Sequence, residues 1–192
     1  MPTVIITRVL PGRITSILHG CELVAPLDGE DRIAVDRFTN ALPGADAILA
    51  IPADRVDESV LAAAPRLRIV ANCGVGYDNI ATHAATQQGV LVTNTPDVVT
   101  DAVADLTMAL MLAVARRIPE GIDVVRRGTW TGEPGQLPGL DLSGATLGIV
   151  GLGRIGAAVW RRARAFGMRL VYTSTRPSES EGERLGTVRN FV

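Results

Sequence analysis

Gly151, Gly153 and Gly156 stand in the spacing G-x-G-x-x-G between an apolar run, "ATLGIV" (145–150), and an amphipathic one, "AAVWRRARAF" (157–166). That order suits a strand–turn–helix unit built to hold a diphosphate. Gly151 permits the tight turn, Gly153 lets backbone approach a pyrophosphate, and Gly156 lets helix and strand pack closely. The N–H groups that open the helix, at Arg154, Ile155 and Gly156, lack partners within it and lie at the positive end of its dipole. Arg154 adds a guanidinium able to pair with phosphate. The glycines alone are a weak signal; flanked by a strand and a helix they form a much more specific dinucleotide-binding pattern.

A carboxylate about 20 residues beyond such glycines normally binds the ribose 2′-hydroxyl of NAD. Here the second strand ends in Thr173, Ser174 and Thr175, within "YTSTRP" (172–177), and the next acid is Glu179. A carboxylate would repel a 2′-phosphate, whereas the hydroxyls of Ser174 and Thr175 and the guanidinium of Arg176 can bind one. The pattern favours NADP(H), with NAD(H) possible. If Arg176 is only a solvated loop residue, it carries no preference.

A second glycine loop, "NCGVGYDNI" (72–80), also comes after an apolar run. Consecutive N–H groups at Gly74, Val75 and Gly76 could form a nest for a small carboxylate. A plain turn with a helix cap from Asp78 or Asn79 fits the same residues.

No catalytic residue stands out. His19 sits beside Gly20 at an expected helix end, where it reads as a C-terminal cap; His83 reads as a surface or packing residue. Neither has an evident carboxylate partner for general acid work. The chain contains no lysine, which removes Schiff-base and P-loop lysine chemistry. Cys21 and Cys73 form no CxxC, and no metal-ligand set or G-x-S-x-G elbow emerges.

The elements that would position these loops can be read from the hydrophobic pattern. Strands are expected at 3–9, 21–26, 46–52, 67–74 and 90–94, with helices at 12–19, 30–41, 55–64 and 79–88 between them. This alternation implies α/β architecture with a mostly parallel sheet covered on both faces. "NTPDVVT" (94–100) marks a boundary: Pro96 holds its predecessor extended, and Thr100 can cap the next helix. That helix, over about 101–117 and apolar nearly all round, reads as buried, and Arg116 and Arg117 suit its negative end. A second helix runs to about 128, then a Gly/Pro-rich arm, and the dinucleotide-type unit begins near Ala145, with a further strand available in "TVRNFV" (187–192).

With 192 residues, 47% of them apolar, the chain can bury one large core or two modest ones. Its net charge is −1, made of −3 over residues 1–96 and +2 over 97–192, so no electrostatic case arises for nucleic acid or membrane. The longest apolar stretch, 102–115, is too short to cross a bilayer. The N-terminus lacks signal-peptide features, and the cysteine usage suits a reducing cytoplasm.

Together, "IVANCGVGYDNI", "GVLVTNTPDVVTDAVADLTMALMLAVARR", "GTW" and "LGIVGLGRIGAAVWRRARAFGM" resemble the D-isomer-specific 2-hydroxyacid dehydrogenases, nearest their glyoxylate/hydroxypyruvate reductases. The resemblance implies a flavodoxin-like substrate-binding domain (1–96) followed by a Rossmann NAD(P)-binding domain (97–192), a doubly wound parallel sheet here incomplete. It implies that the Val75–Gly76 backbone holds a substrate carboxylate, that Thr107 lies near the nicotinamide, and that the long helix and the Trp130 loop form a homodimer. "YTSTRP" resembles the NADP-using branch, although the arginine usual there would fall at Thr175, one place before Arg176. The family's arginine, glutamate and histidine lie in segments resembling "N-x-x-R-G", "LDV-x-x-x-EP" and "PH-x-G", none of which occurs in these 192 residues. The expectation is an enzyme reducing small 2-keto acids such as glyoxylate and hydroxypyruvate with NADPH, of which this chain is a catalytically incomplete fragment. The alternative is a non-catalytic dinucleotide-binding or dimerising regulatory protein.

Overall fold

The computed structural model describes residues 1–10, 14–173 and 188–190. The chain forms two compact units, Met1–Val98 and Val99–Val192, which meet within the "NTPDVVT" segment.

In the first unit, five strands, β1 (Thr3–Ile6), β2 (Glu22–Val24), β3 (Ala47–Ala50), β4 (Ile69–Asn72) and β5 (Leu91–Thr93), form one sheet in the order β2-β1-β3-β4-β5. Every pairing is parallel. Parallel neighbours require crossovers, and these are α1 (Ile14–Ile17), α2 (Val35–Ala41), a 3-10 turn (Leu42–Gly44), α3 (Glu58–Ala62) and α4 (Thr82–Gln87). The strand order is that of the flavodoxin-like doubly wound fold.

The three central strands are the most apolar, and they hold the core. Ile5, Ile48 and Val70 are fully buried and pack with Leu42, Val56, Leu61, Ile80 and Val90 from the crossovers. Each such side chain contributes on the order of 1.5–3 kcal/mol when removed from water. Asp57 accepts hydrogen bonds from the N–H groups of Ser59 and Val60, which starts α3. The expected caps at Asp78 or Asn79 are not used: Ala81 holds the N-cap position of α4 without a side-chain bond.

The second unit contains α5 (Thr100–Ala115), α6 (Ile118–Arg126), β6 (Thr146–Val150), α7 (Arg154–Ala165), β7 (Arg169–Thr173) and β8 (Val188–Asn190). Its sheet runs β6-β7-β8, all parallel. Small residues let α5 and α7 close together: Ala104 and Met108 meet Ala157, Ala158, Trp160 and Ala163 in one cluster with Ile149, Leu170 and Tyr172. Arg162 of α7 ties the same helices by donating to Asp105 (2.6 Å) and Asp101 (3.0 Å).

Two expectations about α5 are corrected. Thr100 does not cap it; Thr100 is its first residue, and Val99 precedes it without a side-chain cap. Nor is α5 buried all round: Ala104 and Met108 are covered, while Leu106, Leu110 and Val114 lie exposed. Arg116 sits at the C-cap, but Arg117 opens α6 in a left-handed conformation and pairs with Glu120 instead.

Candidate functional site

Each unit carries a glycine-rich loop that leaves the C-terminal end of a strand, after β4 in the first and β6 in the second. In the second unit the loop joins β6 to α7, and its three glycines are there for different reasons. Gly151 has φ +93°, a region that L side chains rarely adopt, and its N–H donates to Thr173 O (2.8 Å) across the strand ends. Gly156 packs so closely that a Cβ would stand 2.4 Å from Gly151 O and 3.1 Å from the Ile149 side chain. Gly153 has neither constraint. Its φ is −88°, and a Cβ there would meet nothing within 4 Å among the described residues. The described residues give no reason for a missing side chain at this point, whereas a ligand approaching the backbone would.

Gly153 is the N-cap of α7, and the first bond of the helix is Ala157 N–H to Gly153 O (2.8 Å). The preceding N–H groups, at Arg154, Ile155 and Gly156, therefore lie at the open positive end of a helix of 12 residues. Arg154 is exposed at this mouth. Ser174, Thr175 and Arg176, expected to read the ribose, lie outside the described residues. Thr107 sits half-buried on α5, its hydroxyl donating to Val103 O (2.7 Å).

In the first unit the loop comes after β4. Gly74 is obligatory because a Cβ would stand 2.3 Å from the Pro52 side chain. Its N–H bonds to Asn72 O (2.9 Å), which withdraws it from the expected three-membered nest. The N–H groups of Val75 and Gly76 donate to nothing among the described residues. Asn72, 2% exposed, donates to Gly76 O (2.6 Å). Asn79, read from sequence as a cap, donates instead to Ile51 O (3.2 Å) and Asp54 O (2.8 Å), and its amide pairs with that of Asn72. Asn94 donates to Val75 O (2.8 Å).

Asn72 and Asn94 escape a sequence reading directed at charged and nucleophilic groups. Their signal is an asparagine closing an otherwise apolar strand, in "RIVAN" and again in "VLVTN". Pro52, Arg55, Asp57, Asp78 and Asn79 line an open polar cleft beside the loop.

Both histidines have local partners. His19 Nδ1 is 3.1 Å from Ser16 O, as a C-terminal cap would be, and exposed His83 Nε2 is 3.1 Å from the Gln87 amide. Neither contacts a carboxylate among the described residues. Cys21 and Cys73 are free thiols. Among the described residues no group of His, Cys, Asp and Glu could hold a metal, and no helix is long and apolar enough to cross a membrane.

The family model for the D-isomer specific 2-hydroxyacid dehydrogenase, catalytic domain, matches residues 5–187. The chain belongs to the D-isomer-specific 2-hydroxyacid dehydrogenase family. A glyoxylate reductase of Thermococcus onnurineus is 44% identical to this chain over 188 residues, which is 95% of the chain and 56% of that relative. A crystal structure of a Thermus thermophilus protein superposes with TM-score 0.83 at 39% identity, covering 98% of this chain and 59% of that one. A glyoxylate reductase from Paecilomyes thermophila superposes with TM-score 0.82 at 26% identity, covering 99% and 60%. The chain thus spans little more than half the length of these relatives. The family is NAD(P)-dependent and acts on small 2-hydroxy and 2-keto acids.

Proposed function

We propose that this chain supplies the substrate-carboxylate loop and the dinucleotide cradle of a cytoplasmic reductase acting on glyoxylate and hydroxypyruvate with NADPH. The observation that carries the reading is Gly153, a glycine that neither its backbone angle nor crowding by the described residues demands, at the mouth of a helix N-terminus. A dinucleotide's diphosphate would lie against Gly151, Gly153, Arg154, Ile155 and Gly156, with Ser174, Thr175 and Arg176 around the 2′-phosphate and Thr107 toward the nicotinamide. The bound nicotinamide supplies a hydride. The Val75–Gly76 N–H groups would hold the keto acid's carboxylate. Positioning of this kind can contribute several kcal/mol to a bimolecular step.

The carbonyl oxygen also needs a proton, and neither His19 nor His83 has a carboxylate partner among the described residues to support general acid work. Oriented general acid catalysis is worth about 10²–10⁴ in rate. The 192-residue chain alone is therefore expected to show negligible hydroxypyruvate-dependent NADPH oxidation.

The second unit also presents an apolar surface that supports a homodimer through α5, α6 and the Trp130 loop. Leu106, Leu110 and Val114 on α5, Ile122 and Val125 on α6, and Trp130 are all exposed.

Titration of the purified chain with NADPH and NADH, followed by calorimetry, tests the cofactor assignment. NADPH should bind at least about tenfold more tightly, the scale of one charge-assisted hydrogen bond. Tighter NADH binding would remove the NADP preference; binding of neither would remove the dinucleotide reading itself.

A further inference from the structure

We infer that Asn94, together with Asn72, is a positioning residue that converts the 74–76 loop into a carboxylate site by tethering its carbonyl groups. The inference rests on the carboxylate reading above and names what builds that site.

A trans peptide is planar, so its C=O and N–H point in opposite directions. All peptide bonds of the described chain are trans. The carbonyl of Gly74 accepts from Thr95 N–H at 2.9 Å, and that of Val75 accepts from the Asn94 amide at 2.8 Å. Two successive carbonyls are thus drawn toward the same 94–95 segment. The N–H groups across those peptides, at Val75 and Gly76, must then both face away from it. Two adjacent, parallel donors are what the two oxygens of a carboxylate require.

A third tether holds the far side. Asn72 bonds Gly76 O, and its amide pairs with Asn79, which in turn holds the carbonyls of Ile51 and Asp54. Every carbonyl of the 74–76 loop is therefore occupied from within the protein, while the two outward N–H groups have no protein partner among the described residues. Without the tethers, the Val75–Gly76 peptide could rotate and present a carbonyl oxygen, which repels an anion.

Nuclear magnetic resonance on the ¹⁵N-labelled 192-residue chain tests this, with oxamate as the probe because it carries a carboxylate beside a carbonyl and cannot be reduced. Oxamate should shift the Val75 and Gly76 amide signals saturably. Asn94→Ala should weaken that binding about tenfold and move the Gly76 signal in the free protein, while the Ile5 and Ile48 signals stay in place as evidence of an intact sheet. Asn94→Gln, which keeps an amide donor, should bind more tightly than Asn94→Ala. Wild-type affinity in Asn94→Ala, with the wild-type loop saturating normally, would overturn the tethering role alone. If oxamate moves neither loop signal in the wild type, the carboxylate reading fails and this inference fails with it.

Discussion

The three glycines of the β6–α7 turn make opposite demands on a substituted methyl group. Gly156→Ala would force a Cβ against the Gly151 carbonyl at 2.4 Å, so backbone must move. Overpacking of this kind typically destabilises by about 1–3 kcal/mol, and both the melting temperature and NADPH affinity should fall. Gly153→Ala meets open space. It should lose at most about 1 kcal/mol of stability, the scale of an N-cap change, yet weaken NADPH by about tenfold as the methyl displaces the diphosphate from the backbone. Thermal melts and calorimetry on the two variants separate these cases. A Gly153→Ala protein that keeps full NADPH affinity would show that the diphosphate does not lie against this residue. The roles of Gly151 and Gly156 could be expected from spacing. The lack of any internal reason for Gly153 becomes visible only once the surrounding atoms are placed.

At the scale of elements, what could be read in the sequence is what local pattern determines. The five strands of the first sheet lie within the stretches expected, and α5 departs from its stretch only by starting one residue early, because alternation of β-branched runs with amphipathic ones is a local property. The caps failed for the converse reason. Asn79 is a good capping residue by type, but its amide oxygen accepts from Asn72, and its NH2 is held by Ile51 O and Asp54 O far earlier in the chain. Asp46 is a similar long-range tie, accepting from Thr3 N–H at 2.8 Å and so joining the starts of β1 and β3. That bond, and behind it the Arg66 guanidinium, holds the Asp46 carboxyl below its ordinary value of 3.8. A depressed carboxyl stabilises the fold above its unfolded pKa, and the contribution disappears as pH falls through the folded value. Asp46→Asn keeps an acceptor for Thr3 but loses the charge. It should melt below the wild type at pH 7, and the difference should shrink toward pH 3. An equal deficit at both pH values in thermal melts would assign the loss to packing rather than charge.

Across the second unit as a whole, α5 keeps part of its apolar surface uncovered. Helices apolar on every side are normally buried, and sequence alone led to that expectation. The covered stripe, Ala104, Met108 and Met111, packs on α7, while Val103, Leu106, Leu110 and Val114 form a second stripe at helical spacing that faces solvent. Ile118, Ile122 and Val125 repeat the pattern on α6. Contiguous apolar surface of this kind marks an interaction site, and a closed dimer would bury it by presenting the same stripe from both copies. Whether a helix is covered by its own chain or by another copy is a property of the assembly, which the hydrophobic pattern does not encode. Leu110→Glu places a charge in the middle of the exposed stripe without touching the α7 contact, so the monomer fold should persist. Sedimentation velocity should find the wild type as a dimer at micromolar concentration and Leu110→Glu as a monomer with an unchanged circular dichroism spectrum. A wild-type chain that sediments as a monomer would leave the stripe needing a different partner, and a variant that remains a dimer would move the interface off α5.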